Sequence, residues 1–554
     1  MRVLGIGGGF GHDASAALVD GHTIVAACEE ERFTRQKRAV RQVPERSIQA
    51  CLDLAGAGLS DLDCIALGWN PYLAPDDLRL AASRDVLLAG DRLANERSLP
   101  PVVEVDHHLA HAALGWYTSG YDDAAVLVVD GQGEAVSTTI FAAGPDGLKE
   151  LARFPVRDSL GFFFAAVTRY IGFPPGSAGK TMGLAALGHT VYPFPEIDLC
   201  REGYEVRMAG VSKPERMVSW LRRLTREFGP PGALHYAIDR SSGLLSRPLD
   251  LPPHLRDAAA SAQGALERAM VHLARLALEL AGSSRLILGG GVALNCAANG
   301  KLRLALPGVD LFVNGAAHDG GTALGAALAI ASPDSTACPP RRRRSMFLGP
   351  RFDSSKAVDS ACRSGVRVLA EGDGPAQTAR LIEEGRVGAW FKDRAEYGPR
   401  ALGARSIIAR ADDPTIASRV NRIKGREDWR PLGPAMGRRL ADQLLLGEDG
   451  LEAMVEARWI SADVDGAEVR GVVHRDGSLR PLLVPERGHP FSDLVRTLGS
   501  ERGVRAIINT SFNAEHEPLV NSPMDALRTF VTTDLDFLAL DNTLLVKPDA
   551  WARI

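Results

Sequence analysis

His107 and His111 stand four residues apart in Asp106-His-His-Leu-Ala-His-Ala-Ala, and Asp130 and Asp319 each open a glycine-rich turn further along the chain. Positions i and i+4 share one face of an α-helix, so the two imidazoles can converge on one ion while carboxylates reach it from loops. Together the four predict a mononuclear site for iron(II) or zinc, with magnesium a further option, able to hold a metal against phosphate. An i,i+4 histidine pair by itself is more often helix surface or a helix cap, so its neighbours decide.

These ligands need one helix and two strand ends. Val3 to Gly7, Ser15 to Val19 and Thr23 to Cys28 are short apolar stretches separated by turn signals, the last at Asp20-Gly21, which predicts an antiparallel meander. A helix and another strand follow. Ala124 to Val129, Val136 to Phe141 and Leu148 to Phe154 repeat the three-strand order, an internal duplication in outline. Leu255 to Ala281 predicts a long helix, and Leu286 to Asn295 a strand running into a glycine turn. Four polar loops therefore sit at strand ends: 7–15, 130–134, 289–295 and 314–321. Glycine lets backbone N–H groups approach phosphate oxygens, which marks Gly131, Gly133, Gly290 and Gly291, with Asn295, as candidate nucleotide contacts. Gly179-Lys-Thr looks like the end of a phosphate-binding loop, but the first glycine of that motif would fall at Pro174, so the reading fails.

At 554 residues the chain should hold at least two domains. A formal charge of −4 gives no overall argument for nucleic acid or an anionic membrane. No apolar run reaches the roughly 18 residues of a membrane span, and the first residues read as a strand, so a cytoplasmic protein is expected. Seven cysteines form no Cys-x-x-Cys pair, which argues against zinc ribbons and disulfide scaffolding. The clearest boundary lies between Ala331 and Met346, where a proline-containing stretch precedes Arg341 to Arg344. It divides the chain into 1–335, a linker at 336–347, and 348–554.

The second part is rich in guanidinium groups. From Lys392 to Arg439 there are twelve Lys or Arg against six Asp or Glu, including Tyr397-Gly-Pro-Arg-Ala-Leu-Gly-Ala-Arg-Ser406. Clustered arginines favour bidentate contact with phosphate or carboxylate, and without interleaved aromatics they suit small phosphorylated ligands better than single-stranded nucleic acid. Val504 to Asn513 reads as a buried strand ending in side chains that can hold carbonyl and phosphate oxygens.

The four loops on repeated strand-strand-strand-helix units resemble the actin, sugar-kinase and Hsp70 superfamily, and the HxxxH with the late aspartate resembles its threonylcarbamoyl-transfer branch. Glu396-Tyr-Gly-Pro-Arg-Ala-Leu-Gly and Asn509-Thr-Ser-Phe-Asn go further. Across almost its whole length the chain resembles the O-carbamoyltransferases of the nodulation-protein U and cephalosporin carbamoyltransferase family, which includes enzymes that decorate antibiotics. The resemblance implies an α/β protein: a duplicated ribonuclease-H-like, threonylcarbamoyl-transferase-like N-terminal domain and an α+β YrdC-like C-terminal domain. It implies ATP and carbamoyl phosphate as substrates, carbamoyl adenylate as intermediate, and AMP and pyrophosphate as products.

Carried over by motif, His107, His111, Asp130 and Asp319 become the metal ligands. Lys37, Lys180 and Gly183 become nucleotide contacts, and Arg400, Lys424, Arg430, Arg480, Ser511 and Asn513 hold carbamoyl phosphate and ATP, with Arg400 and Lys424 catalytic. His12 is the candidate general base for a weakly nucleophilic hydroxyl, oriented by Asp13, an effect worth on the order of 100- to 10000-fold. The expected partners are a hydroxylated natural-product acceptor and a second copy of the chain in a homodimer, with neither nucleic acid nor membrane. Residues 192–252 match no shared motif, and their aromatics Tyr204, Trp220, Phe228 and Tyr236 suggest an acceptor pocket. The alternative is a small-molecule kinase, which would need only the N-terminal half. Hydrogenase-maturation carbamoylation would need an acylphosphatase segment, Cys-x-x-Cys zinc motifs and a terminal cysteine, and a noncatalytic scaffold would not need charges at His12 and Arg400.

Overall fold

The computed structural model describes residues 1–8, 11–73, 99–210, 212–232, 237–238, 245–246, 251–331, 345–372, 374–445 and 450–547. Most of the expected linker, with Arg341 to Arg344, and Tyr236 lie outside the described residues.

The meander forms where alternating turn signals place it: β1 (Arg2–Gly7), β2 (Ser15–Asp20) and β3 (Thr23–Glu29) pair antiparallel, with Val3 opposite Val19. β4 (Cys64–Leu67) and β5 (Val102–Glu104) add in parallel on the far side of β1, so the order is β3-β2-β1-β4-β5. Helix α1 (His107–Ser119) follows. Then β6 (Ala124–Val129), β7 (Val136–Gly144) and β8 (Gly147–Pro155) make a second antiparallel meander. Helices α2 (Leu160–Ile171), α3 (Ala178–Ala185) and α4 (Pro253–Ala281) come next, with α4 running about 40 Å at the helical rise. β9 (Arg285–Gly289) joins β6 in parallel, and after α5 (Cys296–Ala305) β10 (Asp310–Val313) joins β9. The order β8-β7-β6-β9-β10 repeats the first sheet strand for strand and direction for direction. β6 is buried along its whole length, as a parallel-paired strand covered on both faces must be.

α1 packs on the second sheet and α6 (Thr322–Ala331) on the first, and the two helices cross between them. Asp106 caps α1 by accepting the Leu109 N–H at 2.8 Å, and Gly120, at φ 84°, ends it. The crossing is close because Gly325 has no side chain: a Cβ there would come within 1.9 Å of the Ala110 carbonyl oxygen.

Among the described residues the C-terminal half is built on an eight-stranded sheet: β11 (Arg367–Glu371), β12 (Gly388–Phe391), β13 (Arg405–Arg410), β14 (Gly433–Gly437), β15 (Leu482–Val484), β16 (Ala506–Ser511), β17 (Phe537–Leu540) and β18 (Thr543–Val546). Their order is β11-β18-β17-β12-β13-β16-β14-β15. The molecule is thus mixed α/β. The two halves share cores: Ala453 and Val455 belong to the main N-terminal cluster, and Leu348 and Tyr397 to the cluster between β1 and α6.

The expectation that the aromatics of residues 192–252 line an acceptor pocket needs correction for three of the four. Tyr204 and Trp220 are buried with Phe163 and Phe194, and Phe228 packs against the same cluster. Those rings are consumed by core packing and are not offered to a ligand.

Gly325→Ala should lower stability by about 1–3 kcal/mol, as overpacking does, and displace the helix that carries both histidines. A lower urea midpoint, together with weaker metal binding, is the expected outcome.

Candidate active site

α1 is apolar nearly all round and is buried, so His107 and His111 face a dry interior. His107 Nε2 lies 3.2 Å from His111 Nε2 and 3.3 Å from Asp130 Oδ2, and His111 Nε2 lies 3.5 Å from that same oxygen. Asp319 Oδ1 comes within 3.8 and 3.9 Å of the two imidazoles. All four side chains are buried, with ligand atoms within 4.8 Å of one another. Ligands about 2.0–2.2 Å from a central ion would stand apart by about these distances, so the four residues fit a divalent metal.

The surroundings fix the ligands from behind. His107 Nδ1 is 3.1 Å from the Gly68 carbonyl; donating its N–H there leaves the Nε2 lone pair facing inward. Asp130 Oδ1 accepts the N–H groups of Gly131 at 2.7 Å and Gly291 at 3.0 Å, which leaves Oδ2 for the histidines. Burial disfavours a charged His107, yet the hydrogen bond to Asp130 and the charge of Asp319 outweigh it and push its pKa up to about 10. Burial, with the charge of His107, holds His111 below its ordinary value.

His12 stands beside this centre. Its Nδ1 is 3.0 Å from Asp13 Oδ2 and 3.6 Å from Asp319 Oδ2. Burial works against its charge, but Asp13 and Asp319 raise its pKa above the ordinary value. Arg38, which sequence reasoning passed over for its neighbour Lys37, reaches both His12 and Asp13. Lys37 is solvent-exposed, within the electrostatic field of Arg430 and Lys180.

Several other expected contacts have structural partners. Gly131 and Gly291 hold Asp130. A Cβ on Gly133 would strike the His108 ring, and one on Gly290, at φ 83°, would lie 2.3 Å from the Val129 carbonyl oxygen. Gly183 makes room for Trp429 and Pro431 of the other half. The Asn295 amide is exchanged with Gln263 at 2.9 and 3.0 Å and caps α5. Lys180 pairs with Glu427 at 3.1 Å and Glu515 at 3.5 Å, tying the halves together.

In the C-terminal half the structure brings Arg400, Arg430 and Arg480 together and adds Arg426. Burial, then the charge of Arg480, push the Arg400 pKa down to about 9. Arg400 Nε, Arg426 Nη2 and Arg480 Nε are buried with no protein partner, which is the signature of a cradle for an anion. Arg400 also reaches the Leu294 carbonyl in the N-terminal half, at 3.4 Å. Lys424 is buried and braced: its ammonium donates to the Ser511 carbonyl, to Ser511 Oγ at 3.1 Å, and to Asn513 O and Oδ1 at 3.2 and 3.1 Å. Lys424, Ser511 and Asn513 therefore form one cluster at the end of β16.

The Glu396–Arg400 segment joins the two centres. Tyr397 donates its hydroxyl to the Gly320 carbonyl, one residue beyond Asp319, where Ser15 Oγ also donates at 2.8 Å. Glu29 pairs with Arg32 at 2.6 Å and His318 at 3.0 Å, and Arg32 donates to the Gly398 carbonyl at 2.6 Å. None of Tyr397, Glu29, Arg32 or His318 carries a local signal for this long-range network.

Two family models match, described as Carbamoyltransferase N-terminus over residues 2–75 and 81–328 and Carbamoyltransferase C-terminus over 379–547. The chain belongs to the carbamoyltransferase family. This carbamoyltransferase is 33% identical to nodulation protein NolNO of Sinorhizobium fredii over 98% of its own length and 81% of that protein's. It is 31% identical to the 3'-hydroxymethylcephem-O-carbamoyltransferase of Amycolatopsis lactamdurans over 45% of this chain and 46% of that one. Among solved structures, HypF of T. kodakarensis aligns with a TM-score of 0.37 at 16% identity, covering 60% of this chain and 47% of the other. Among the described residues no helix is long and apolar enough to cross a membrane.

Metal binding to the carbamoyltransferase should displace the proton that His107 holds with a pKa of about 10. Calorimetry in buffers of different ionisation enthalpy should therefore find about one proton released per ion near neutral pH, and an affinity that rises about tenfold per pH unit until it levels off around that pKa. Affinity independent of pH would contradict the site.

Proposed function

We propose that the chain is an ATP-dependent O-carbamoyltransferase. Its C-terminal half, 348–554, converts carbamoyl phosphate and ATP into carbamoyl adenylate, and its N-terminal half, 1–335, carries the carbamoyl group to a hydroxyl of a natural product. The observation that carries this reading is the pairing of an arginine cradle with a two-histidine, two-aspartate centre, joined by residues 396–400. In this reading the repeated sheets are ribonuclease-H-like halves of the actin and sugar-kinase kind, and the C-terminal half is YrdC-like. A relative named for O-carbamoylation of a 3'-hydroxymethylcephem supports a hydroxyl acceptor.

Carbamoyl phosphate and ATP are both polyanions, and Arg400, Arg426, Arg430 and Arg480 reduce their repulsion and stabilise charge on the departing phosphates. The adenylate retains no phosphate from the donor, so water cleaves carbamoyl phosphate to carbamate and inorganic phosphate. A carbamate oxygen attacks the α-phosphorus of ATP, and pyrophosphate leaves. In the other half the acceptor hydroxyl adds to the carbamoyl carbon, the bond to AMP breaks, and His12, oriented by Asp13, takes the hydroxyl proton. A divalent ion held by His107, His111, Asp130 and Asp319 would supply Lewis-acid polarisation and neutralise phosphate charge. The shared cores and the Arg400–Leu294 contact support passage of a water-labile intermediate inside the protein.

Purified protein should release AMP and pyrophosphate from ATP only when carbamoyl phosphate is present. ADP as product would favour the small-molecule kinase, and turnover without dependence on carbamoyl phosphate would contradict the carbamoyltransferase reading. His12→Asn should retain that turnover while slowing carbamoyl transfer to an accepted hydroxyl compound by about 100- to 10000-fold.

A further inference from the structure

Asp319 divides its carboxylate between two clusters. Oδ1 faces His107 and His111, whereas Oδ2 lies 3.6 Å from His12 Nδ1. His12, Asp13 and Asp319 bring one nitrogen and two carboxylates within 4.8 Å of one another, the donor types and spacing of a second ion position bridged to the first through Asp319. A guanidinium already reaches that cluster. Arg38 Nη2 is 3.0 Å from His12 Nδ1 and 3.1 Å from Asp13 Oδ2, and Nε is 3.4 Å from Asp13 Oδ1.

The backbone is bent to bring it there. Of the nine non-glycine residues with positive φ among the described residues, five are Asp13, Arg35, Arg38, Ala39 and Arg41. Left-handed conformations at such residues persist only where the surroundings over-determine them. Here Asp13 N donates to the Arg38 carbonyl at 2.6 Å, Arg41 N to the Gly11 carbonyl at 2.6 Å, and Arg38 N to Glu31 Oε2 at 2.7 Å. Beyond the guanidinium lies Gly176, where a Cβ would come within 2.6 Å of Arg38 Nη1.

We propose that Arg38 is the built-in second cation of this centre: its guanidinium takes the place that a metal ion would otherwise occupy against His12, Asp13 and Asp319. The inference rests on the metal reading of the first cluster. A guanidinium is charged at every accessible pH and carries only N–H donors, so through its bond to Asp13 Oδ2 it neutralises that carboxylate and adds no ligand for an ion. In the tautomer whose Nδ1–H donates to Asp13 Oδ2, Arg38 binds the same carboxylate oxygen and the His12 Nε2 lone pair is left for an acceptor hydroxyl. Arg38 is in this sense a positioning residue that keeps the centre mononuclear and His12 off the metal.

Cobalt(II) titrated into the metal-stripped full chain, with bound ions counted by mass spectrometry after gel filtration, tests this without any turnover. Wild type and Arg38→Lys should take one ion. Arg38→Met should take two, and Arg38→Met combined with Asp13→Asn should return to one. If Arg38→Met does not fold by circular dichroism, Arg38→Gln carries the same expectation of two. Carbamoyl transfer should fall at least tenfold in kcat in the uncharged variants and recover in part with Arg38→Lys. One ion in the folded uncharged variants, or two in wild type, overturns the proposal; no ion in wild type overturns both it and the metal reading.

Discussion

The hydrogen bond from the Tyr397 hydroxyl to the Gly320 carbonyl ties a loop of one half to the turn that presents Asp319 in the other. Asp319 is the carboxylate that touches both the histidine pair and His12, so its position sets the geometry of the whole N-terminal centre. Three residues after Tyr397, Arg400 enters the arginine cradle and reaches back to Leu294. Both centres are therefore registered by one short segment whose backbone is fixed at its base by Glu396, which accepts the N–H groups of Leu402, Ala404 and Arg405.

Buried charge makes this register specific. Glu29, Arg32 and His318 lie between the halves; opposite charges overcome Glu29's desolvation and hold its pKa down to about 2, while Glu29 outweighs burial at His318 and raises it to about 9. Linkage gives each a direction. The His318 contribution to stability is complete below its unfolded value near 6.5 and is lost as pH rises through about 9, and that of Glu29 is complete above 4.5 and lost as pH falls through about 2. The network is thus intact across the mildly acidic to neutral range. A buried pair with one partner removed leaves an uncompensated charge, so the halves cannot slide past one another without exposing or stranding one.

Much of this was legible in the amino-acid sequence where the signal is local. The meander, its repetition and the long helix follow from apolar runs and turn residues, and the HxxxH with two glycine-flanked aspartates follows from helical spacing. What stayed hidden depends on contacts far apart in sequence. Lys37 and Arg38 are adjacent basic residues, and only the left-handed backbone around 35–41 decides which of them turns toward His12. Gly131 and Gly291 read as phosphate contacts because free N–H groups are what such loops offer, yet Asp130 takes them first. Tyr204 and Trp220 looked available because no motif claimed them, whereas the second sheet and α2 needed them as core.

The account stands on the two-histidine, two-aspartate cluster of one half being held in register by a residue of the other, and the zinc affinity of Tyr397→Phe measures that dependence most directly. The variant keeps the ring in its buried place and removes only the donor to the Gly320 carbonyl, so an unchanged circular dichroism spectrum is expected. Loss of the donor to the Gly320 carbonyl loosens the turn that presents Asp319, and zinc binding should weaken by about tenfold, the low end of what removing a partner behind a ligand costs. Affinity equal to that of the wild type would contradict the account and leave the two halves as neighbours that merely share a chain.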